Sequence, residues 1–435
     1  MFIGRNAEME YLDRFFAKEG SQILVMYGVK GIGKTELLKQ YTREKKVQYY
    51  MAGAVSEKEQ RMEWAGELKE SGNKLSDCPE YEEILKVIFP EDLGKKVLVI
   101  DEFHHLIKGD GKFIQSLSEF MDKRRMSRPV FVVLLSSAPG FVENTLVAQM
   151  GVRATYIDGI YKIRELPFQF LRETYPGYSG QDAFYTYMTL GGVPGSWDHF
   201  NPSRSYKDNV IHHILKKGSG LLAEMENYFS EDLREPAVYN TILLQIAQGR
   251  CKLNDIFEST GFSRAKISVY LKNLMELDLI EKISAGVYRI SVPLLNFYYR
   301  FLFPYRTLME QLEGEAFFEK VIAPALPDYA RNAYSKVCRQ NYEYENPDGF
   351  DISEWYEKGE QLDLVTVDKD SRRVAAICRY NSDFDRVEYK KLISTLRHAK
   401  IQPDRLILYS ERDETDDLKL LIKKGKIEHI RLNVG

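Results

Sequence analysis

The sequence predicts an α/β multidomain chain: a parallel sheet flanked by helices, a helical segment, a three-helix module with a hairpin, and a second α/β domain. Three observations carry that prediction. Apolar runs such as Ile23–Tyr27 and the one inside "KKVLVIDEF" are continuous rather than alternating, as in strands buried on both faces. A glycine-rich loop leaves the first run and opens directly into an amphipathic helix. Towards the C-terminus, further apolar strands alternate with a helical pattern.

At 435 residues the chain exceeds what one core organises. The expected division is a nucleotide-binding core over 1–165, a helical segment over 166–232, a helix-turn-helix module over 233–295 and an α/β domain over 296–435. A hydrophobic content of 44% with 29% charged residues is that of an ordinary globular protein. The net charge of −3 excludes a whole-molecule basic field, so any nucleic-acid surface must be local. No apolar run approaches the roughly 20 residues of a membrane-spanning helix, and "MFIGRNAEMEYL" reads as the start of a folded domain rather than a signal peptide. Cys78, Cys251, Cys338 and Cys378 show no metal-ligand spacing and read as reduced thiols, which makes a cytoplasmic protein the expectation. The pairs His104–His105 and His212–His213 lack ligand spacing as well.

The loop Gly28-Val29-Lys30-Gly31-Ile32-Gly33-Lys34-Thr35 matches GxxxxGK[ST] between a strand and a helix that opens at Glu36. Its glycines let backbone N–H groups converge on phosphate oxygens, and the helix N-terminus adds its positive end. Lys34 supplies a charge for the β- and γ-phosphates, and the Thr35 hydroxyl suits Mg²⁺. The strand in "KKVLVIDEF" ends in Asp101, a buried acid that needs a cationic partner, and Mg²⁺ shared with Thr35 is that partner. Glu102 follows it, placed to polarise an attacking water. Loop and acids together form a Walker A and Walker B pair, with ATP and Mg²⁺ as expected ligands and hydrolysis as the expected reaction. The charge-rich stretch 55–92 reads as a solvated helical insertion.

These residues, with "FIGRNAEMEYLDRFF" at the start and "ELPF" and "LGGVPGSW" further on, resemble the archaeal-type P-loop ATPases of the AAA+/STAND class. The resemblance runs from Phe2 to the C-terminus, is most specific at the loop and in the middle segment, and fades at the end. It implies a P-loop NTPase sheet with a helical lid, Gly4 and Arg5 near the adenine, and Gly192 and Pro194 closing over the base. It further implies a polar sensor of the γ-phosphate at the end of the strand "PVFVVLLSS", here Ser136, and an arginine reaching that phosphate. "GVRATY" offers Arg153 for the arginine, with Arg164 as the alternative.

Residues 236–290 read as a winged helix-turn-helix on their own pattern. Helices are expected over Ala237–Gln248 and Leu253–Ser259, with a turn at Gly261 and a third helix capped by Ser263. Ile267, Leu271, Leu274 and Leu277 form its core stripe, and the hairpin around Ala285–Gly286 is the wing. Arg264, Lys266 and Lys272 lie on the opposite face and are the candidate DNA contacts. Between 235 and 290, however, seven Lys and Arg stand against six acids. DNA binding and a purely relaying role within the chain both remain open from the residues.

After the aromatic run "NFYYRFLFPYR", expected to be core, residues 310–340 have a helical pattern. Strands are expected over 362–367, 373–378 and 405–409, with a helix over 385–399. This order resembles a restriction-endonuclease-like α/β domain, whose metal-dependent cleavage needs two carboxylates and a lysine. Asp363 stands at the first position, but Ile377 occupies that of the second acid, Arg379 that of the lysine, and Gln361 a common glutamate position. Isoleucine cannot bind a hard cation, and guanidinium is a poor substitute for a water-positioning amine. Replacement acids would have to come from Glu360, Asp383 or Asp385. The domain reads as a scaffold without cleavage chemistry, a platform carrying Asp363, Arg372, Arg373 and Arg379. The chain as a whole reads as an ATP-driven switch acting on DNA, with a non-catalytic nucleotide-holding regulator and an ATP-gated nuclease as the other readings.

Overall fold

The computed structural model describes residues 3–90, 96–107, 111–124, 129–227, 235–283, 286–346, 350, 352–432 and 434. The expected contributions of Phe2, Lys95 and Ala285, and the boundary at 232–233, lie outside the described residues. Contacts divide the chain into two compact units, Met1–Glu165 with Val193–Gly195, and Leu166–Gly192 with Ser196–Gly435.

The first unit is built on a five-stranded, all-parallel sheet. Its strands are β1 (Gln22–Tyr27), β2 (Val47–Met51), β3 (Lys96–Asp101), β4 (Val130–Ser136) and β5 (Gly159–Lys162), in the order β2-β3-β4-β1-β5. Residues alternate strictly between its two faces. Ile23, Val25, Leu98, Ile100, Val132 and Leu134 pack to one side, while Leu24, Met26, Val97, Val99, Phe131 and Val133 pack to the other. Both faces are therefore apolar, which is why the strand sequences are continuous apolar runs. The strand order puts β4 between β1 and β3, so the ends of the two Walker strands and Ser136 lie side by side.

One expectation about this unit needs correction. The stretch 55–92 is helical within its described part, at Glu57–Glu70 and Tyr81–Ile88, but it is not merely solvated. Trp64, Leu68, Tyr81, Ile84 and Ile88 join the core on one face of the sheet, and Trp64 stacks on Tyr50 of β2 with ring centroids 4.2 Å apart. Most of the charges lie on the opposite sides of these two helices, but Arg61 is buried and pairs with Glu80 at 2.6 Å. Strand β2, "VQYYM", carries no strong apolar pattern because it is an edge strand with only Tyr50 fully buried.

The second unit contains the winged helix-turn-helix. Its helices are Pro236–Ala247, Leu253–Thr260 and Arg264–Glu276, and its wing is the antiparallel pair β6 (Ile280–Ile283) and β7 (Val287–Ile290). Gly261 turns the chain at φ 70°, and the Ser263 hydroxyl accepts from Lys266 N to cap the third helix. Ile267, Leu271 and Leu274 are buried as expected. Leu277 is not: the helix ends at Glu276, and Leu277, at the C-cap, is 46% exposed. The aromatic run is core only in its first part: Phe297, Tyr298, Tyr299 and Phe301 are buried, whereas Phe303 is half-buried and Tyr305 is exposed.

The C-terminal sheet runs β12-β11-β10-β9-β8, from β8 (Ser353–Glu357), β9 (Glu360–Val367), β10 (Arg373–Arg379), β11 (Arg405–Ser410) and β12 (Glu428–Arg431). β8, β9 and β10 form an antiparallel meander, and β11 and β12 add in parallel. The helices Leu326–Glu345, Arg386–His398 and Asp416–Lys423 complete this part of the chain. The two outer strands, "SEWYE" and "EHIR", are short, half-exposed and polar, so the apolar pattern does not reveal them.

Candidate nucleotide site and the acid of the C-terminal sheet

The first unit brings the Walker residues to the C-terminal edge of its sheet. Gly31 and Gly33 sit at φ 81° and 96°, where a side chain would be strained. A Cβ on Gly28 would come within 2.7 Å of the Ile163 carbonyl oxygen. This backbone leads into the helix Lys34–Thr42, whose N-terminal N–H groups have no partner within the helix. Lys34 is 5% exposed, and its Nζ donates to the loop carbonyls of Gly28 at 2.8 Å and Val29 at 3.1 Å. Burial lowers its pKa, and Glu102 and Asp101 pull it back up. The ammonium thus folds back on its own loop, ready to exchange carbonyl oxygens for phosphate oxygens.

Asp101 is 2% exposed at the tip of β3. Its Oδ2 accepts from Thr35 Oγ1 at 2.6 Å and from the Tyr49 hydroxyl, and its Oδ1 accepts from Glu102 N at 3.0 Å. Burial and the bond to Asp101 both push the Tyr49 phenol above its ordinary pKa. Glu102 follows in a left-handed backbone conformation at φ 52°, an uncommon state for a non-glycine residue. Its Oε2 accepts from Ser137 N at 2.9 Å and Ser137 Oγ at 2.8 Å, and lies 3.3 Å from His104 Nδ1. The buried Ser136 hydroxyl turns away, 3.2 Å from His104 Nδ1 and accepting from Ala138 N at 3.1 Å. Ser137, which the sequence does not distinguish from its neighbour, is therefore the serine that holds Glu102.

Arg5 is buried and fastens the N-terminal segment to the loop. It pairs with Glu8 at 2.8 Å and donates to the carbonyls of Ile32 at 2.8 Å and Arg164 at 2.9 Å, while Gly4 precedes it at φ 66°. The second segment against the loop is Val193–Gly195. Gly195 N donates to Gly31 O at 3.0 Å, and a Cβ on Gly195 would clash with the Gly31 backbone. Pro194 lies between these residues, whereas the Gly192 carbonyl accepts from Leu166 N. Gly195 is thus a loop neighbour that sequence reading missed; its only signal was a second glycine after the proline. Lys30 and Glu36 are exposed. Arg153 stands on the 3₁₀ turn Gly151–Tyr156, with no hydrogen bond or ion pair to any of these residues.

The arrangement fits an ATP–Mg²⁺ ligand. The glycine cradle and Lys34 suit the phosphates. Thr35 Oγ and the Asp101 carboxylate suit a hard cation that takes its other oxygens from phosphate and water. Among the described residues no group of three or more His, Cys, Asp or Glu could hold a metal ion.

In the second unit the three candidate DNA contacts stand on the helix Arg264–Glu276, Arg264 and Lys272 exposed and Lys266 half-buried, each lightly engaged. Arg264 lies over the Phe257 ring and donates to Asn254 Oδ1 at 3.1 Å; Lys266 is 3.4 Å from Glu235, and Lys272 is 3.6 Å from Glu276.

Asp363 is 3% exposed. Its Oδ1 accepts from Ser335 Oγ at 2.8 Å and from the Gln361 amide, and its Oδ2 accepts from Cys378 N at 2.8 Å. The alternative acids are engaged too. Glu360 meets His398 Nδ1 at 2.8 Å, Asp383 pairs with Arg412 at 2.9 Å, and Asp385 caps the helix Arg386–His398. Arg379 pairs with Glu388 at 2.9 Å, and Arg372 with Asp368 and Asp370.

Comparison with known proteins finds three matching segments. Residues 2–197 match the model of an ATPase domain predominantly from Archaea, residues 240–282 that of bacterial regulatory proteins of the arsR family, and residues 298–392 that of archaeal and bacterial proteins of unknown function. The chain is 25% identical over 419 residues to the uncharacterized protein MJECL04 of Methanocaldococcus jannaschii, covering 92% of each. Over 47 residues, 11% of this chain and 80% of the other, it is 34% identical to an uncharacterized ATP-binding protein of the same organism. The Walker-type ATPase PABY2304 of Pyrococcus abyssi superposes with a TM-score of 0.51 at 15% identity, over 69% of this chain and 96% of that one, a likeness of fold. The chain has a P-loop NTPase fold whose residues match the ATPase domain found predominantly in Archaea, followed by a helix-turn-helix region and a C-terminal mixed-sheet domain. Among the described residues no helix is long and apolar enough to cross a membrane.

Proposed function

We propose that this chain is an ATP-hydrolysing switch of the STAND type, whose nucleotide state governs how the winged helix meets DNA. One observation carries the reading: Thr35 Oγ and Asp101 Oδ2 meet at 2.6 Å with Lys34 and Glu102 beside them. ATP brings a transferable γ-phosphoryl group, and Mg²⁺ withdraws charge from its oxygens. Gly31, Gly33 and Lys34 hold the phosphates, and Thr35 and Asp101 fix the cation. Glu102 orients the water and takes its proton once its carboxylate leaves Ser137. On the DNA side, Arg264, Lys266 and Lys272 exchange weak, exposed partners for phosphates or guanine edges.

A second reading is favoured by the grip of Ser137 and His104 on Glu102, which withholds the carboxylate from a water. On that reading the chain is a regulator that keeps its nucleotide. ATP turnover by the full chain and by Glu102→Gln separates the two, with duplex binding measured under ATP, ADP and no nucleotide. The switch predicts turnover that Glu102→Gln lowers by about 10²–10⁴-fold with ATP retained, and duplex affinity that differs between ATP and ADP. Absence of turnover in the unaltered chain, with duplex affinity the same in all three states, overturns it.

The C-terminal domain is read as a non-cleaving platform, because the Asp363 carboxylate already has three donors and no second acid or lysine stands at 377 or 379.

A further inference from the structure

The second unit contains a cavity of about 730 Å³, within the size range of ligand sites. Its walls are the wing, the turn Gln248–Lys252, the helix Leu326–Glu345, the β8–β9 hairpin, the end of β10 and the helix Arg386–His398. Seven Lys or Arg and six Asp or Glu line it, so its raw charge is near zero.

The pairing of those charges changes the picture. Arg289 of the wing bonds Glu354 of β8 through two nitrogens, at 2.6 and 3.1 Å, and also meets Glu281 at 2.8 Å; Arg339 meets Glu354 at 3.0 Å. This four-charge cluster is neutral in itself and joins the wing to the C-terminal sheet. Asp328 pairs with Arg331 at 3.2 Å, Glu360 meets His398, and Arg379 pairs with Glu388, while Asp363 keeps its charge and is held by three neutral donors. Asp255 accepts from Lys252 N at 3.3 Å. Against the effect of burial, Arg289 and the nearby Lys336 hold the Glu281 carboxyl below its ordinary pKa, which leaves Lys252, Arg300 and Lys391 lining the cavity without a carboxylate partner among the described residues. The Lys252 ammonium lies 5.3 Å from the centre of the Tyr356 ring, and Tyr288 and Trp355 also line the space.

We propose that this cavity binds single-stranded nucleic acid without cutting it. Unpaired cations beside aromatic rings are the chemistry that takes a phosphate and stacks a base. Amide side chains at Gln248, Asn332 and Gln361 add donors and acceptors for base edges. The site is separate from the exposed face of the helix Arg264–Glu276 and from the nucleotide site, and stands whether or not ATP is hydrolysed.

The test is fluorescence anisotropy with the full chain and a fluorescein-labelled ten-residue oligothymidylate. Lys252→Ala with Lys391→Ala weakens binding at least tenfold and reduces the log–log salt slope by about 1.4. Alanine at Arg264, Lys266 and Lys272 together leaves single-strand affinity unchanged. Lys391→Glu alone, on an exposed helical position, weakens binding without disturbing the fold, monitored by circular dichroism. Failure to bind the oligonucleotide, or loss of binding through the helix variant rather than the cavity variants, overturns the proposal. Displacement by polyglutamate of equal charge at equal concentration also overturns it, because the cavity would then take an acidic peptide.

Discussion

Asp101 and Asp363 are both aspartates on apolar strands, both almost fully buried, and each accepts from three donors, yet their surroundings give them different work. The donors to Asp101 include two hydroxyls, from Thr35 and Tyr49, and Lys34 and a glycine cradle lie beside it. On the proposed reading, Thr35 would turn its oxygen from donating to Asp101 to ligating a cation shared with that carboxylate. The donors to Asp363 are an amide, a backbone N–H and a serine, beside an isoleucine that offers a cation nothing. A buried acid on a strand is thus a metal site only when its neighbours can change from donors into ligands.

Substitutions sharpen that contrast. Lys34→Ala removes the charge meant for the phosphates and should lower ATP turnover by about 10²–10³-fold, with nucleotide affinity by calorimetry falling alongside. Asp101→Ala should cost a comparable factor at fixed Mg²⁺ and partly recover as Mg²⁺ is raised. A turnover indifferent to Asp101 breaks the comparison.

Asp363→Ala should act on stability. It removes the acceptor of Ser335 Oγ and Cys378 N, at about 1–3 kcal/mol for each donor left buried and unpaired, while the amide of the exposed Gln361 turns to water. Thermal unfolding should drop by several degrees, while turnover per folded molecule stays unchanged.

Tyr49→Phe removes one of the three donors to Asp101. A net bond is worth about 0.5–1.5 kcal/mol, so turnover should change by less than about tenfold. The smallest expected effect is none at all. Supercoiled plasmid incubated with Mg²⁺ or Mn²⁺, with and without ATP, should stay intact, and nicking that disappears in Asp363→Ala would restore the nuclease reading.

How much was legible depended on the range of the interactions. The loop 28–35, the strand ending in Asp101 and the capped helix behind Ser263 are local: turn, period and cap are written within about a dozen residues. The insertion at 57–88 was misread because its charges were visible while the sheet face receiving Trp64 and Tyr81 was not. Strands β8 and β12 escaped because a short, half-exposed strand has no apolar period to detect.

The sequence by itself determined the phosphate cradle, its lysine and acids, the helix-turn-helix, and the absence of a second acid and a lysine at 377 and 379. Those follow from which groups exist and how near neighbours along the chain can fold. Packing across the fold, rather than any local pattern, makes Ser137 instead of Ser136 hold Glu102, brings Gly195 against Gly31, gives Asp363 the donors Ser335 and Cys378 N, and ties the wing through Arg289 to Glu354. Each of these contacts joins distant parts of the chain, and such partners are chosen by how whole sheets and helices pack, which no local pattern records.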